Sequence, residues 1–240
     1  MAPHDPLAYL QAILAKDFEA HRYQAGKSKS EPHRPLVITL SRDYGALGEE
    51  IAKELSSCLG IPVYDQEILD RVAKQSKTDK FYLQHHDEQS HAGISTFVHS
   101  LISGSTGTLQ GYRRALYDVV LELARKDCII VGRGAHLILR DKRAFRLRIV
   151  GSTSVCAGRI AGELGISEQE AEAKVQEINT TRHKSIQALY GEKFPTNTLE
   201  HAAHFDLIVN TDRFDVPGAV LVAVMALEQT GFDLHATVKA

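Results

Sequence analysis

Leu7, Leu10, Ile13, Leu14 and Phe18 recur at helical spacing near the start of the chain, and the polar stretch Gly26-Lys27-Ser28-Lys29-Ser30-Glu31-Pro32 follows them. The first pattern predicts an amphipathic helix and the second a joint, so residues 1–34 read as an appended helix and linker. That helix could pack on the main domain or on a second copy of the chain as a homodimer. From residue 35 the period changes. Short β-branched or continuous apolar runs at 36–40, 62–64, 128–131, 145–150 and 205–209 predict strands. Helical patterns lie between them at 50–59, 66–74 and 112–125, after residue 153, and at 167–189 and 220–227. Gly60 stops the first of these helices, and Ser167 with Glu170 forms a capping-box pattern at the start of the longest. Cys128-Ile129-Ile130-Val131 is apolar throughout, as expected of a strand buried on both faces of a parallel sheet. Strands alternating with helices predict an α/β domain with a doubly wound parallel sheet, whose ligands gather at the strand C-terminal ends. The polar residues 75–108 break the alternation and read as an inserted subdomain.

Composition narrows the partners. A 240-residue chain with 43% hydrophobic and 24% charged residues suits one α/β core, and a formal charge of −2 gives no electrostatic reason to expect nucleic acid. Small molecules are the expected partners. No run approaches the ~18 apolar residues of a membrane span, and the N-terminus lacks the apolar core of a signal peptide. Cys58, Cys128 and Cys156 are far apart and odd in number, so they read as reduced packing residues of a cytoplasmic protein. His85, His86, His91 and His99 lack the spacing of a metal motif and read as solvated loop residues, so no protein-held metal is expected.

The chemistry points to the first strand. Val37-Ile38-Thr39 feeds the turn Ser41-Arg42-Asp43-Tyr44-Gly45-Ala46-Leu47-Gly48, which opens into a helix. Strand, tight turn and helix N-terminus bring backbone N–H groups and the positive end of a helix dipole around one volume, which makes a phosphate cradle. In a P-loop the last glycine precedes Lys and then Ser or Thr, whereas Glu49 and Glu50 follow Gly48 here. Phosphoryl transfer needs cations around the transferred group, and Arg42, Arg71, Arg133, Arg159 and Arg182 are the candidates. Arg133 follows a buried strand and is expected to face the crevice, because a guanidinium left in a dry core is costly. A carboxylate in the first helical turn also interacts favourably with the dipole, with no metal involved.

The turn at 41–48 with Ile51-Ala52, then Ile61-Pro62-Val63-Tyr64-Asp65, Ile130-Val131-Gly132-Arg133-Gly134 and Phe205-Asp206-Leu207-Ile208-Val209-Asn210-Thr211, resembles the cytidylate kinase-like family in order and spacing. The resemblance spans residues 36–227. It implies a P-loop kinase-like, five-stranded parallel sheet over 35–240, with a helical insertion for the nucleoside monophosphate at 75–108 and a lid at 152–196. It further implies ATP as phosphate donor with Mg²⁺, and CMP or dCMP as acceptor. Ser41, Arg42, Asp43, Tyr44, Gly45, Ala46, Leu47 and Gly48 would wrap the donor phosphates, with Arg42 standing in for the missing lysine. Glu49 and Glu50 would lie beside the metal, reached through phosphate and water, and Asn210 and Thr211 would border the donor base. Asp65, Arg71, Arg133 and Arg159 would meet the acceptor, and Arg42, Arg133 and Arg182 would carry catalysis. In cytidylate kinases an aspartate follows the arginine after the third strand, and Gly134 replaces it here. Two other readings stay open from the residues: a catalytically weak nucleotide-binding regulatory protein, and a kinase for another small metabolite.

Overall fold

Strands β1 (Val37–Arg42), β2 (Val63–Tyr64), β3 (Cys128–Val131), β4 (Phe145–Val150) and β5 (Leu207–Asn210) form one sheet in the order β2-β3-β1-β4-β5. Every pairing is parallel. This is a computed structural model, and it describes residues 34–76, 106–191, 199, 201–232 and 234. The expected N-terminal helix, most of the 75–108 insertion and the end of the lid region lie outside the described residues. The helices are α1 (Gly48–Leu59), α2 (Gln66–Ser76), α3 (Thr106–Leu123), α4 (Ala135–Ile138), α5 (Thr153–Leu164), α6 (Glu168–Tyr190) and α7 (Val216–Gln229).

The strand order decides where a ligand can sit. β1 lies between β3 and β4, so the turn leaving it emerges at mid-sheet, where the chain's crossovers diverge to either side. Crevices in doubly wound sheets open at this point. Each sheet face carries its own core. Ile38, Leu40, Ile129, Val131, Leu147 and Ile149 pack in one cluster with residues of α1 and α7. Val37, Cys128 and Ile130 pack in the other with residues of α2 and α3. Both faces of β1 and β3 are covered, which is why these strands read as nearly continuous apolar runs.

Several boundaries differ from the sequence pattern for identifiable reasons. Ser41 and Arg42, read as turn residues, extend β1 by pairing with Arg148 and Ile149, because their side chains find internal polar partners. The first helix starts at Gly48 and the last at Val216, where Asp215 accepts from the Gly218 amide and Pro217 occupies the first turn. α3 starts at Thr106, inside the expected insertion, and the short α4 has no apolar period to announce it. Ser167 and Glu170 form the reciprocal capping box expected for α6. All three cysteines are buried and free. Among the described residues, no helix is long and apolar enough to cross a membrane.

Candidate active site

α1 begins without a side-chain cap. Its N-cap, Leu47, takes the left-handed conformation at φ 62°, whereas Ser152, Ser167 and Asp215 cap α5, α6 and α7 through their side chains. The first-turn amides of α1 therefore open onto the turn, together with the positive end of the helix. Gly45 at φ 78° and the Ala46 N–H to Asp43 carbonyl bond of 3.3 Å close the turn.

Arg42 leaves the end of β1 and lies across this opening. Two glycines make room for it. A Cβ at Gly48 would lie 2.4 Å from Arg42 Cβ, and one at Gly132 would lie 2.8 Å from Arg42 Nη1. The guanidinium donates from Nε to Glu49 Oε1 at 2.8 Å and from Nη2 to Asp65 Oδ2 at 3.3 Å. Arg182 arrives from α6. Its Nη1 donates to the Arg42 carbonyl at 3.1 Å, its Nη2 lies 4.0 Å from Glu49 Oε1, and its guanidinium carbon sits 5.9 Å from the Tyr44 ring centroid. The fold thus gathers two arginines and two carboxylates from β1, α1, α6 and the loop after β2.

Two further residues brace the turn, and neither was among the sequence candidates. Asn179 of α6 accepts the Tyr44 amide at 2.8 Å, which docks the long helix against the turn. Arg148 of β4 donates to Asp43 Oδ1 at 2.5 Å from a position only 4% exposed. Arg148 did leave a trace in the sequence, as one of two arginines, with Arg146, inside an otherwise apolar strand. Asn179 left none. Ser41 Oγ lies 3.3 Å from Nδ1 of the buried His136, which stacks on Phe205 at 4.8 Å.

Arg159 belongs to a second group. Its Nη1 donates to the Gly45 carbonyl and to Thr211 Oγ1, both at 3.1 Å, and its Nη2 to the Thr211 carbonyl at 2.6 Å. It ties the turn after β1 to the loop after β5. Thr211 Oγ1 also donates to the Val150 carbonyl, and the Asn210 carboxamide accepts the Asp212 amide at 2.9 Å. Asn210 and Thr211 therefore shape a turn of their own, and the cap of the last helix is Asp215. Cys156 is buried here as well, and burial pushes its thiol up to about 11, so it stays protonated.

Arg133 follows β3 and Arg71 lies on α2. Gly132, Arg133 and Gly134 take φ values of 71°, 54° and 68° in succession, and the Tyr190 hydroxyl donates to the Arg133 carbonyl at 3.1 Å. A left-handed arginine is a strained choice that persists only where its surroundings impose it. Arg71 meets Glu67 Oε1 at 2.8 Å, lies 3.7 Å from Glu122 and sits over Tyr64. The Glu67 hydrogen bond holds its guanidinium above the ordinary arginine range. Arg71 joins neither the Arg42 group nor the Arg159 group, and Glu50 faces solvent.

A central β1, a glycine-bearing turn and an uncapped helix in a parallel β2-β3-β1-β4-β5 sheet define a P-loop kinase-like α/β fold. The family model described as "Cytidylate kinase-like family" matches residues 37–213, and the chain belongs to that family. Among solved structures, an uncharacterized protein from Eubacterium ventriosum overlaps at a TM-score of 0.59 with 19% identity, over 80% of this chain and 98% of the other. Shikimate kinase from Bacteroides thetaiotaomicron overlaps at 0.45 with 16% identity, over 80% and 98% of the two chains. A gluconokinase from Sinorhizobium meliloti overlaps at 0.43 with 13% identity, over 85% and 98%. No curated protein matches the chain in sequence.

Proposed function

We propose that this protein transfers a phosphoryl group from Mg²⁺-bound ATP to a nucleoside monophosphate, with CMP or dCMP as the acceptor. One observation carries the reading: Arg42 and Arg182 converge on the uncapped start of α1, where the turn's amides open. The donor phosphates lie along residues 43–49, with Arg42 supplying the cation that a P-loop lysine supplies elsewhere. Arg182 neutralises charge on the transferred group from the α6 side, and the α5–α6 pair over the turn excludes water. Asp65 after β2, Arg71 on α2 and Arg133 after β3 bind the acceptor. Arg159 and Thr211 hold the turn and the donor-side loop in register. CMP and dCMP rest on family membership.

The residues present suit Mg²⁺ carried by phosphate. Among the described residues no group of three His, Cys, Asp or Glu side chains could hold a metal ion, while Glu49 and Asp65 stand beside the phosphate turn with partly exposed carboxylates. Mg²⁺ commonly binds through one or two carboxylates plus substrate phosphates and waters. When bound, it would neutralise charge on the phosphates.

The test is ADP release from ATP-Mg²⁺ across a panel of nucleoside monophosphates, run beside Arg42→Ala, Arg42→Lys and Arg133→Ala. Arg42→Ala and Arg133→Ala are expected to lower kcat/KM about 100-fold, the scale of a lost charge-stabilising donor. Arg42→Lys recovers only part of it, because lysine lacks the planar fork that meets two acceptors at once. ATP binding without turnover on any acceptor would favour a nucleotide-binding regulatory protein instead. Turnover confined to a different phosphorylatable metabolite would keep the reaction and change the acceptor.

A further inference from the structure

We infer that Glu49 is a built-in stand-in for a phosphate oxygen, so that the turn admits polyphosphate readily only when a divalent cation accompanies it. The inference rests on the proposed reading that this opening binds phosphate. Glu49 directly follows Gly48 in the first turn of α1, at the positive end of the helix. Its Oε1 accepts from Arg42 Nε at 2.8 Å and lies 4.0 Å from Arg182 Nη2. Helix N-terminus and two guanidinium groups are the partners an entering phosphate would seek, and a carboxylate of this chain already engages the guanidinium groups.

The cluster leaves little charge to spare. Arg42 is 5% exposed at its side chain and is shared between Glu49 and Asp65. A bare polyphosphate entering this space meets two carboxylates as well as two arginines, and like charges at close range oppose it. Glu49 can yield where Asp65 cannot easily do so, because its side chain is 52% exposed against 28% for Asp65. The carboxylate either swings into water or shares a cation with the phosphates. In an ordinary P-loop the lysine at this position attracts free and metal-bound phosphate alike. A glutamate opposes the bare phosphate and makes the cation a condition of entry.

Calorimetric binding of sodium tripolyphosphate to wild type and Glu49→Gln, each in EDTA and in excess Mg²⁺, tests this without any turnover. Wild type is expected to bind about tenfold or more tightly with Mg²⁺ than in EDTA, and Glu49→Gln to bind in EDTA about tenfold more tightly than wild type. The variant's affinity should then depend only weakly on Mg²⁺. Unchanged binding by Glu49→Gln in EDTA overturns the gate and leaves the phosphate-binding reading standing. Weaker binding by the variant with Mg²⁺, and no gain in EDTA, makes Glu49 a metal-side ligand and also overturns it. If neither protein binds tripolyphosphate with Mg²⁺ while both give the same circular dichroism spectrum, the phosphate-binding reading itself fails along with the gate.

Discussion

Arg148 Nη2 donates to Asp43 Oδ1 at 2.5 Å, so the residue that begins the glycine-bearing turn after β1 is held by a buried guanidinium of the neighbouring strand. The pair is lopsided. Arg148 has a side-chain exposure of 5% and Asp43 one of 19%, and Arg148 Nε and Nη1 have no hydrogen-bond partner among the described residues. Removing the aspartate strands a cation in the sheet, whereas removing the arginine leaves an aspartate that can turn to water. Asp43→Ala should cost about 3 kcal/mol, and Arg148→Met about 1 kcal/mol. Urea unfolding of the two variants checks the order, and equal losses would contradict it.

Arg159 joins the Gly45 carbonyl to both oxygens of Thr211. Each bond uses a charged donor, so the clamp is worth more than neutral bonds of the same length. On the proposed function, Arg159→Ala should raise the KM for ATP about tenfold with a smaller change in kcat, because the turn and the loop after β5 lose registration while Arg42 and Arg182 stay in place. Steady-state kinetics at varied ATP measures the split. A loss confined to kcat would assign Arg159 to the transferred group instead.

Asp206 binds Arg146 through both side-chain oxygens and accepts the Arg146 amide at 2.8 Å, joining β5 to β4. Burial alone would raise the Asp206 carboxyl, but the Arg146 side-chain and backbone N–H groups outweigh it and hold the carboxyl below its ordinary 3.8. A carboxyl lowered on folding stabilises the native state fully above its unfolded pKa and loses that contribution as pH falls through the folded value. The window therefore opens below pH 3.8. Thermal melts across about pH 2 to 5 should show Asp206→Asn less stable than wild type at the upper end, with the gap narrowing toward the lower end. A constant gap would show that the carboxylate's ionisation plays no part.

The local elements were open to reading from the residues alone. Hydrophobic period is a short-range signal, so the five strands, most helices and the Ser167–Glu170 capping box followed from neighbours a few positions apart. The strand-turn-helix at 37–59 was visible for the same reason, and with it the turn proposed to bind phosphate. Ser41 and Arg42 misled at the strand's end, because their polarity suggested a turn while the ladder to β4 continued through them.

The partners of those residues were settled by the sheet order. Asp43 and Arg148 are 105 positions apart, and Tyr44 and Asn179 are 135 apart, so no local pattern could couple them. They meet because β4 pairs beside β1 and because α6 docks its polar side on the turn. The same long-range packing turned Arg159 toward Gly45 and Thr211 and Arg182 toward Arg42, whereas Arg71 meets Glu67 one turn away on its own helix. Five arginines looked alike as charges along the chain. Folding separated them, because a guanidinium drawn out of water takes whatever acceptors its surroundings place in reach.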